Sequence, residues 1–270
     1  MEHSTGKIVK NTIIFTTALL VQKVIAFGNF LFLSSRLLPE TLGAYIWALS
    51  FTTMFSIGAD LGLSFIMMRD AAKNTRNDER DLQNIIGLKA PLILVTLAAC
   101  LITLFATKSD PQTIALVLIS SALMIFDAVT VVFYSFLRAK QMLSYEAMGV
   151  VGFQLIAFVG SVFSIITGRG IVYVTASLAL AGFVNLIYSV IAFRKKFKFS
   201  LRPRFDRPVI KYLFKLMPAF ALSGIFVRIY NASDSVILGY LRDNASVGLF
   251  SVPAKIVTAF QALIPGVFTA

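Results

Sequence analysis

The chain has 270 residues, of which 57% are hydrophobic and only 14% are charged, and its formal net charge is +12. An ordinary soluble domain is about a quarter charged, so this composition excludes a soluble globular protein. The single cysteine, Cys100, and the single histidine, His3, exclude a disulfide framework, a thiolate metal site and histidine-based catalysis.

Eight apolar stretches are each long enough to cross a bilayer as a helix, which takes about 20 residues. We therefore predict an all-α polytopic membrane protein of about eight transmembrane helices, joined by short connections rich in polar residues and proline. The predicted spans cover roughly residues 10–35, 41–68, 84–106, 112–137, 145–167, 171–193, 212–239 and 246–270.

The basic residues are divided unevenly between the two sides of these spans. Lysine and arginine favour the cytoplasmic side of a membrane. One set of connections includes the N-terminus, residues 69–81 and the dense basic run at 194–211. The opposite set carries only Arg36, Lys108, Arg169 and Arg242. This pattern predicts a cytoplasmic N-terminus and argues against nucleic acid as the partner of the positive charge.

The run at 194–211 is interleaved with apolar residues, among them Phe197, Phe199 and Phe205. Such a segment is typical of an interfacial surface that binds anionic lipid head groups. It also fits a simple positively charged anchor and linker between two helical lobes. The two interpretations are compatible.

Two cations lie inside apolar spans, Lys23 in the first and Arg228 in the seventh. A charge within a membrane span is costly, so such residues usually face a bundle interior or a water-filled cavity. The two positions are 205 residues apart. The same offset pairs Lys10 with Lys215, Asn29 with Asp234, Gly43 with Gly248 and Tyr45 with Phe250.

The offset indicates a parallel repeat of six spans. It predicts an N-terminal six-helix lobe at 1–193, a basic cytoplasmic linker at 194–211, and the first two helices of a second, pseudo-symmetric lobe at 212–270. Because the sequence stops on the second helix of the new lobe, without a polar flank, we expect the chain to be truncated at its C-terminus.

Several short segments of the sequence match the motifs of a known family. These segments are residues 35–45, 59–63, Arg69, 203–206, 216–218, 234–240 and 247–250. Together they resemble the oligosaccharide flippases, which form the polysaccharide biosynthesis branch of the multidrug, oligosaccharidyl-lipid and polysaccharide exporter superfamily. The resemblance spans the whole chain and identifies the family better than the substrate.

The resemblance implies a V-shaped protein of two pseudo-symmetric lobes in the bacterial cytoplasmic membrane. It further implies that such a protein moves an isoprenoid-pyrophosphate-linked oligosaccharide across that membrane by alternating access, without acting as an enzyme. No cofactor is expected, and coupling to protons or sodium ions is left open. The expected partners are the lipid-linked oligosaccharide, anionic lipids at 194–211, a polysaccharide polymerase and glycosyltransferases.

Lys23 and Arg228 are the candidate ligands for the pyrophosphate. Cations that face a central cavity lower the cost of moving a phosphate group through hydrocarbon, and a guanidinium suits bidentate phosphate contact. Thr16 shares one helical stripe with Lys23, as expected of a polar cavity lining. Lys23 could instead pair with a buried acid or serve only in helix packing.

Three acids are candidates for coupling or for lining the cavity. Asp127 lies in the middle of the fourth span, where it could pair with Lys23, carry a coupling proton or act structurally. Asp60 lies beside two glycines that indicate close helix packing, which favours a structural role. Asp234 lies towards the outer end of the seventh span.

Two amides, Gln154 and Asn185, are weaker candidates for lining the cavity, since such side chains often make only interhelical hydrogen bonds. The alternating charges at 78–81 indicate a solvated loop and no metal site. No phosphate-binding loop of an ATPase is present.

Other functions remain open. A cation-coupled drug antiporter of the same superfamily would favour acidic residues in its cavity. A membrane-embedded glycosyl- or acyltransferase would need a catalytic histidine or an acidic pair on a sizeable loop, and neither is convincing. A truncated relic would not transport at all.

Overall fold

The computed structural model describes the backbone of residues 2–73, 77–107 and 110–268, and the side chains of residues 12–73, 77–107 and 110–259. Within these ranges the chain is all-helical, as predicted. The helices are α1 (Glu2–Arg36), α2 (Pro39–Phe55), α3 (Leu63–Lys73), α4 (Asp78–Thr107), α5 (Pro111–Ala139), α6 (Leu143–Ile166), α7 (Ile171–Lys196), α8 (Arg207–Leu241) and α9 (Asn244–Phe268).

Six of these helices are long and apolar enough to cross a membrane, namely α1 from Thr12 onward, α4, α5, α6, α7 and α8. Their outward faces carry large exposed apolar side chains such as Val24, Leu94 and Ile102. Because no water is present in the bilayer core, these faces are suited to lipid. The chain is therefore a multi-pass membrane protein, although the predicted count of eight spans is not confirmed.

The second predicted span is wrong as a single helix, because the chain breaks it into α2 and α3. Residues 56–62 form turns, and both Leu61 and Gly62 adopt positive φ angles, 43° and 80°. The Asp60 carboxylate accepts hydrogen bonds from the Ser64 amide at 3.4 Å and the Ser64 hydroxyl at 2.5 Å. This side chain therefore caps α3 and replaces hydrogen bonds that a continuous helix would have made.

Helices α2 and α9 pack with their backbones in close contact. A Cβ added at Gly43 would collide with the Asn244 carbonyl, and a Cβ added at Gly248 would collide with the Pro39 carbonyl. The offset of 205 residues converts Pro39 into Asn244 and Gly43 into Gly248. The two contacts thus exchange under the predicted repeat, as they do in an isologous contact about a twofold axis.

The connection between α7 and α8, residues 197–206, is an extended segment that lies against the start of α4. Phe197 and Phe199 point inward and pack on Phe136, with ring centroids 4.9 and 5.8 Å apart. The intervening Lys198 and the following Arg202 are exposed. The segment thus has one apolar face buried in the protein and one cationic face outside.

Asp206 ends this segment and joins it to α4. Its carboxylate accepts hydrogen bonds from the Arg80 guanidinium at 2.6 Å and the Arg204 guanidinium at 2.9 Å, while its amide donates to the Asn84 side chain at 2.6 Å. The Arg80 guanidinium beside it holds the pKa of the Asp206 carboxyl below its ordinary value, and Arg204 and Asn84 act in the same direction.

We expect Gly43→Ala to lower the melting temperature of the protein in detergent by several degrees, because the added methyl group forces α2 and α9 apart. Gly152→Ala is the matched control, since a Cβ there meets nothing within 4 Å. Replacing a helical glycine by alanine without a clash is favourable by about 1 kcal/mol, so the control should be neutral or slightly more stable. Equal melting temperatures for the two variants would contradict the close contact.

We also expect Asp206→Ala to lower the melting temperature at pH 7. The lowered pKa means that this stabilisation is complete above the ordinary aspartate pKa of about 3.9 and is lost as the pH falls through the lowered value. The difference between variant and wild type should therefore shrink at about pH 3. Arg202→Ala, which removes an exposed cation of the same segment, should match wild type at both pH values. A deficit of Asp206→Ala that is unchanged at acidic pH would rule out the carboxylate charge as its source.

Candidate functional site

The helices enclose a cavity of about 510 Å³ among the described residues. Its wall comes from α2, α3, α5, α6, α7, α8 and the turn between α2 and α3. On α5 the lining runs from Ser120 to Arg138, which at 1.5 Å per residue is about 27 Å of helix. The cavity therefore follows most of the thickness of a membrane.

Arg228 of α8 and Asp127 of α5 face each other across this cavity. Both side chains line it and both are exposed to it. The positive charge of Arg228 acts on the Asp127 carboxyl, yet no hydrogen bond or ion pair joins either side chain to another within the described ranges. Each charged group is therefore open to a ligand.

Asp60 also lines the cavity, but its charge is compensated. Lys89 of α4 lies with its Nζ atom 2.5 Å from Asp60 Oδ1 and 2.5 Å from the Ala128 carbonyl oxygen. The Lys89 side chain is almost fully buried. This ion pair fixes the turn after α2 to both α4 and α5, because Ala128 belongs to α5.

The end of the cavity near the start of α6 holds a second compensated pair. Arg138 of α5 donates two hydrogen bonds to the buried Glu146 carboxylate of α6. Deeper inside, the Tyr134 hydroxyl donates to Asn185 Oδ1 at 2.6 Å. The adjacent Gly149 makes room for this contact, since a Cβ there would collide with the Tyr134 hydroxyl.

The predicted site residues fall into two groups. Arg228, Asp127, Asp60 and Asn185 line the same cavity. Lys23, Thr16, Gln154 and Asp234 are not among the described residues that line it. The functional roles of the residues in both groups stay predictions.

The second group occupies different surroundings. Lys23 and Thr16 are exposed on α1, which packs mainly against α6. Gln154 is buried on α6. Asp234 is exposed on α8, and within the described ranges it makes no ion pair with Arg36 or Arg242.

Sequence reasoning missed Lys89 and the Arg138–Glu146 pair. The signal that identified Lys23 and Arg228, a cation inside an apolar stretch, applies equally to Lys89. Glu146 was hidden by its position at the start of a span, where a solvated acid is ordinary. No local pattern indicates that Arg138, at the end of the preceding span, folds back onto it.

The geometry can be compared with known proteins. The model of a family described as "Polysaccharide biosynthesis protein" matches residues 8–270. No curated protein sequence matches the chain significantly. Three solved structures superpose on it over most of its length.

The structure titled "Lipid II flippase MurJ, inward closed conformation" has a TM-score of 0.66 at 17% identity and covers 89% of this chain and 55% of that one. "Crystal structure of MATE in complex with MaD3S" has a TM-score of 0.54 at 16% identity, covering 94% and 68%. "Crystal structure of MATE in the straight conformation" has a TM-score of 0.51 at 16% identity, covering 97% and 69%. These likenesses establish the fold alone, and the chain spans about half the length of the flippase structure.

We expect Lys89→Met to destabilise the protein by on the order of 3 kcal/mol, because it leaves the Asp60 carboxylate without its cation. The double variant Lys89→Met/Asp60→Asn should recover part of that loss, since it removes the unpaired charge as well. Melting temperatures of the two single variants and the double variant form a double-mutant cycle. Strictly additive effects would show that the two side chains are not coupled.

Proposed function

The chain belongs to the polysaccharide biosynthesis protein family, and from this we propose that it translocates an isoprenoid-pyrophosphate-linked oligosaccharide across a membrane. The family is described as a polysaccharide biosynthesis family, and one solved structure of the same fold is titled a lipid II flippase. These names support the proposal that the chain is a transporter and not an enzyme. The substrate and the mechanism of alternating access are our proposal.

The observation that carries this proposal is the Arg228 guanidinium in the cavity, which has no ion-pair partner among the described residues. A pyrophosphate crossing hydrocarbon needs a cation to replace the water that solvated it, and a planar guanidinium can donate to two phosphate oxygens at once. The cations of Lys89 and Arg138 are already engaged by Asp60 and Glu146. Among the described cations that line the cavity, Arg228 is therefore the one that is free to bind an anion.

Lys23 stays a proposed second contact for the pyrophosphate. Its exposed position on α1 does not bring it to the cavity described above. In this arrangement Arg228 is the cation that acts on Asp127. Pairing of Lys23 with Asp127 in another conformation stays part of the proposal. Testing the two cations separately distinguishes a site formed by Arg228 alone from one that both share.

A cation-coupled drug antiporter is the second candidate, favoured by one observation. Asp127 is an acid in the cavity with no partner in the described part of the chain, and such a group could bind a lipophilic cation. Proton or sodium coupling through Asp127 belongs to this alternative as well as to the first.

We further propose that the protein lies in the bacterial cytoplasmic membrane with its N-terminus in the cytoplasm. The cations of the α7–α8 segment and its flanks support this orientation, since Arg194, Lys198, Arg202 and Lys211 are exposed. This face suits anionic lipid head groups in the same leaflet. Polymerase and glycosyltransferase partners, and a lobe division at 1–193, 194–211 and 212–270, remain part of the proposal.

The test is translocation in liposomes that contain the purified chain and a fluorescent polyprenyl pyrophosphate carrying N-acetylglucosamine. Quenching of outer-leaflet fluorescence should reveal transport above that of protein-free liposomes. Arg228→Ala should reduce the rate about tenfold or more, because the anionic head group loses its charge-assisted contact. The transport rate of Arg228→Lys should lie between those of wild type and Arg228→Ala, because lysine keeps the positive charge but lacks the planar guanidinium.

Lys215→Ala is the matched control, because it removes an exposed cation of the same helix that does not line the cavity. It should transport like wild type, and Lys23→Ala reports on the proposed second contact. Transport no faster than in protein-free liposomes would contradict the proposal. Transport of tetraphenylphosphonium, but not of the lipid, would favour the antiporter.

A further inference from the structure

Helix α5 presents a stripe of polar side chains to the cavity, Ser120, Asp127, Thr130 and Tyr134, with apolar residues such as Met124 and Val131 between them. Positions 120, 127 and 134 are separated by seven residues, which is close to two helical turns, so they lie nearly above one another. Thr130 lies to one side, between Asp127 and Tyr134 along the helix. The stripe extends over about 21 Å, long enough to contact several groups of an extended ligand.

Asp127 is the accessible centre of this stripe. Its carboxylate is exposed to the cavity and has no hydrogen bond or ion pair within the described ranges. An ionised carboxylate only accepts hydrogen bonds, and its two oxygens can take several donors. Neutral hydroxyl groups are donors that can satisfy it without bringing a second negative charge.

Ser120 and Thr130, on either side of Asp127, have buried hydroxyl oxygens without a hydrogen-bond partner in the described part of the chain. This is unusual for a helix, where serine and threonine commonly donate to the carbonyl four residues earlier. The neighbouring Ser121 does so, with its hydroxyl 2.8 Å from the Val117 carbonyl oxygen, and Thr52 does the same to Ala48. Ser120 and Thr130 instead keep their hydrogen-bonding capacity unused at the wall of a cavity.

The two hydroxyl oxygens are covered by neighbouring atoms in this conformation. A serine or threonine side chain changes rotamer by turning about a single bond, χ1, which needs no backbone movement. A ligand that offers hydroxyl groups at the wall can therefore draw these oxygens towards the cavity.

The opposite charges of Asp127 and Arg228 favour different parts of a ligand. A pyrophosphate bound beside Asp127 would be repelled by the carboxylate, whereas Arg228 on α8 attracts it. The cavity is therefore suited to a ligand with an anionic part against α8 and a neutral part, rich in hydroxyl groups, against α5. A sugar attached to a pyrophosphate has this distribution of charge.

We propose that the α5 stripe is the sugar-binding subsite of the cavity, with the Asp127 carboxylate and the Ser120 and Thr130 hydroxyls as the groups that contact the sugar hydroxyls. The inference rests on the proposed function, because it assumes that Arg228 binds the pyrophosphate of the same ligand. It assigns Asp127 to recognition of the sugar.

The test compares the affinities of the purified protein for two lipids, a polyprenyl pyrophosphate carrying N-acetylglucosamine and the same polyprenyl pyrophosphate without sugar. Wild type should bind the glycosylated lipid more tightly. Asp127→Ala should reduce this preference about tenfold while leaving the bare lipid bound as well or better, since a like charge is removed. Ser120→Ala combined with Thr130→Val should reduce the preference by about three- to tenfold.

Ser121→Ala is the matched control for the hydroxyl variant, because Ser121 is equally buried on the same helix but bonded to Val117. It should leave the preference unchanged, whereas Arg228→Ala should weaken both lipids alike. Equal affinity of wild type for the two lipids would overturn the sugar subsite, as would an unchanged preference in the Asp127 and Ser120/Thr130 variants. Failure of wild type to bind either lipid would instead overturn the proposed function.

Discussion

The ion pair between Asp60 and Lys89 is the interaction on which the cavity depends. A helix interrupted inside a packed bundle leaves backbone groups without intrahelical partners, and these need other hydrogen bonds. Here Asp60 caps α3 and at the same time accepts from Lys89, which also donates to the Ala128 carbonyl. The Asp60 carboxylate thus stabilises the turn between α2 and α3 and, through Lys89, links this turn to α4 and α5. The packing of Gly62 against Phe220 of α8, where a Cβ would lie 2.5 Å from the Phe220 Cβ, follows from the same turn.

The charged groups of the cavity fall into two classes, those that form ion pairs and those without direct partners in the described ranges. Asp60 and Glu146 are neutralised by Lys89 and Arg138, so their charges hold helices together and offer little to a ligand. Asp127 and Arg228 remain without direct partners in the described ranges and face each other from α5 and α8. Because most charged groups of the cavity are paired, a bulky head group can bind with a small electrostatic cost. The two charged groups without direct partners then determine the orientation of the ligand.

The all-helical architecture and the approximate limits of most helices could be predicted from the sequence, because long apolar runs with basic flanks leave few alternatives in a membrane. The predicted number of eight spans is not confirmed, since six of the described helices are long and apolar enough to cross a membrane. The break at 56–62 could not be predicted, because residues 41–68 form one largely apolar stretch in the sequence. The hydrogen bonds of Asp60 to the start of α3 are visible only in the structure. The polar residues predicted inside spans include Arg228, Asp127, Asp60 and Asn185, and all four line the cavity, while their functional roles stay predictions. Lys89 carried the same signal, but which cation faces a cavity and which is buried in an ion pair depends on helix rotation, and that is set by tertiary packing.

The proposed repeat pairs Lys23 with Arg228, although the two cations have different surroundings. The exchanged contacts at Gly43 and Gly248 are those expected of a twofold axis between α2 and α9, and the proposed offset of 205 residues pairs α1 with α8 in the same way. Such an axis would map the packing of α8 on α2 onto packing of α1 on α9. In the described part of the chain α8 packs extensively on α2, whereas α1 touches α9 little and packs on α6 instead. Symmetry therefore assigns Lys23 a position equivalent to that of Arg228 only in a conformation where α1 lies against α9 as α8 lies against α2. Movement of α1 from α6 towards α9 is the change that would convert a cavity with one open cation into a cavity with two.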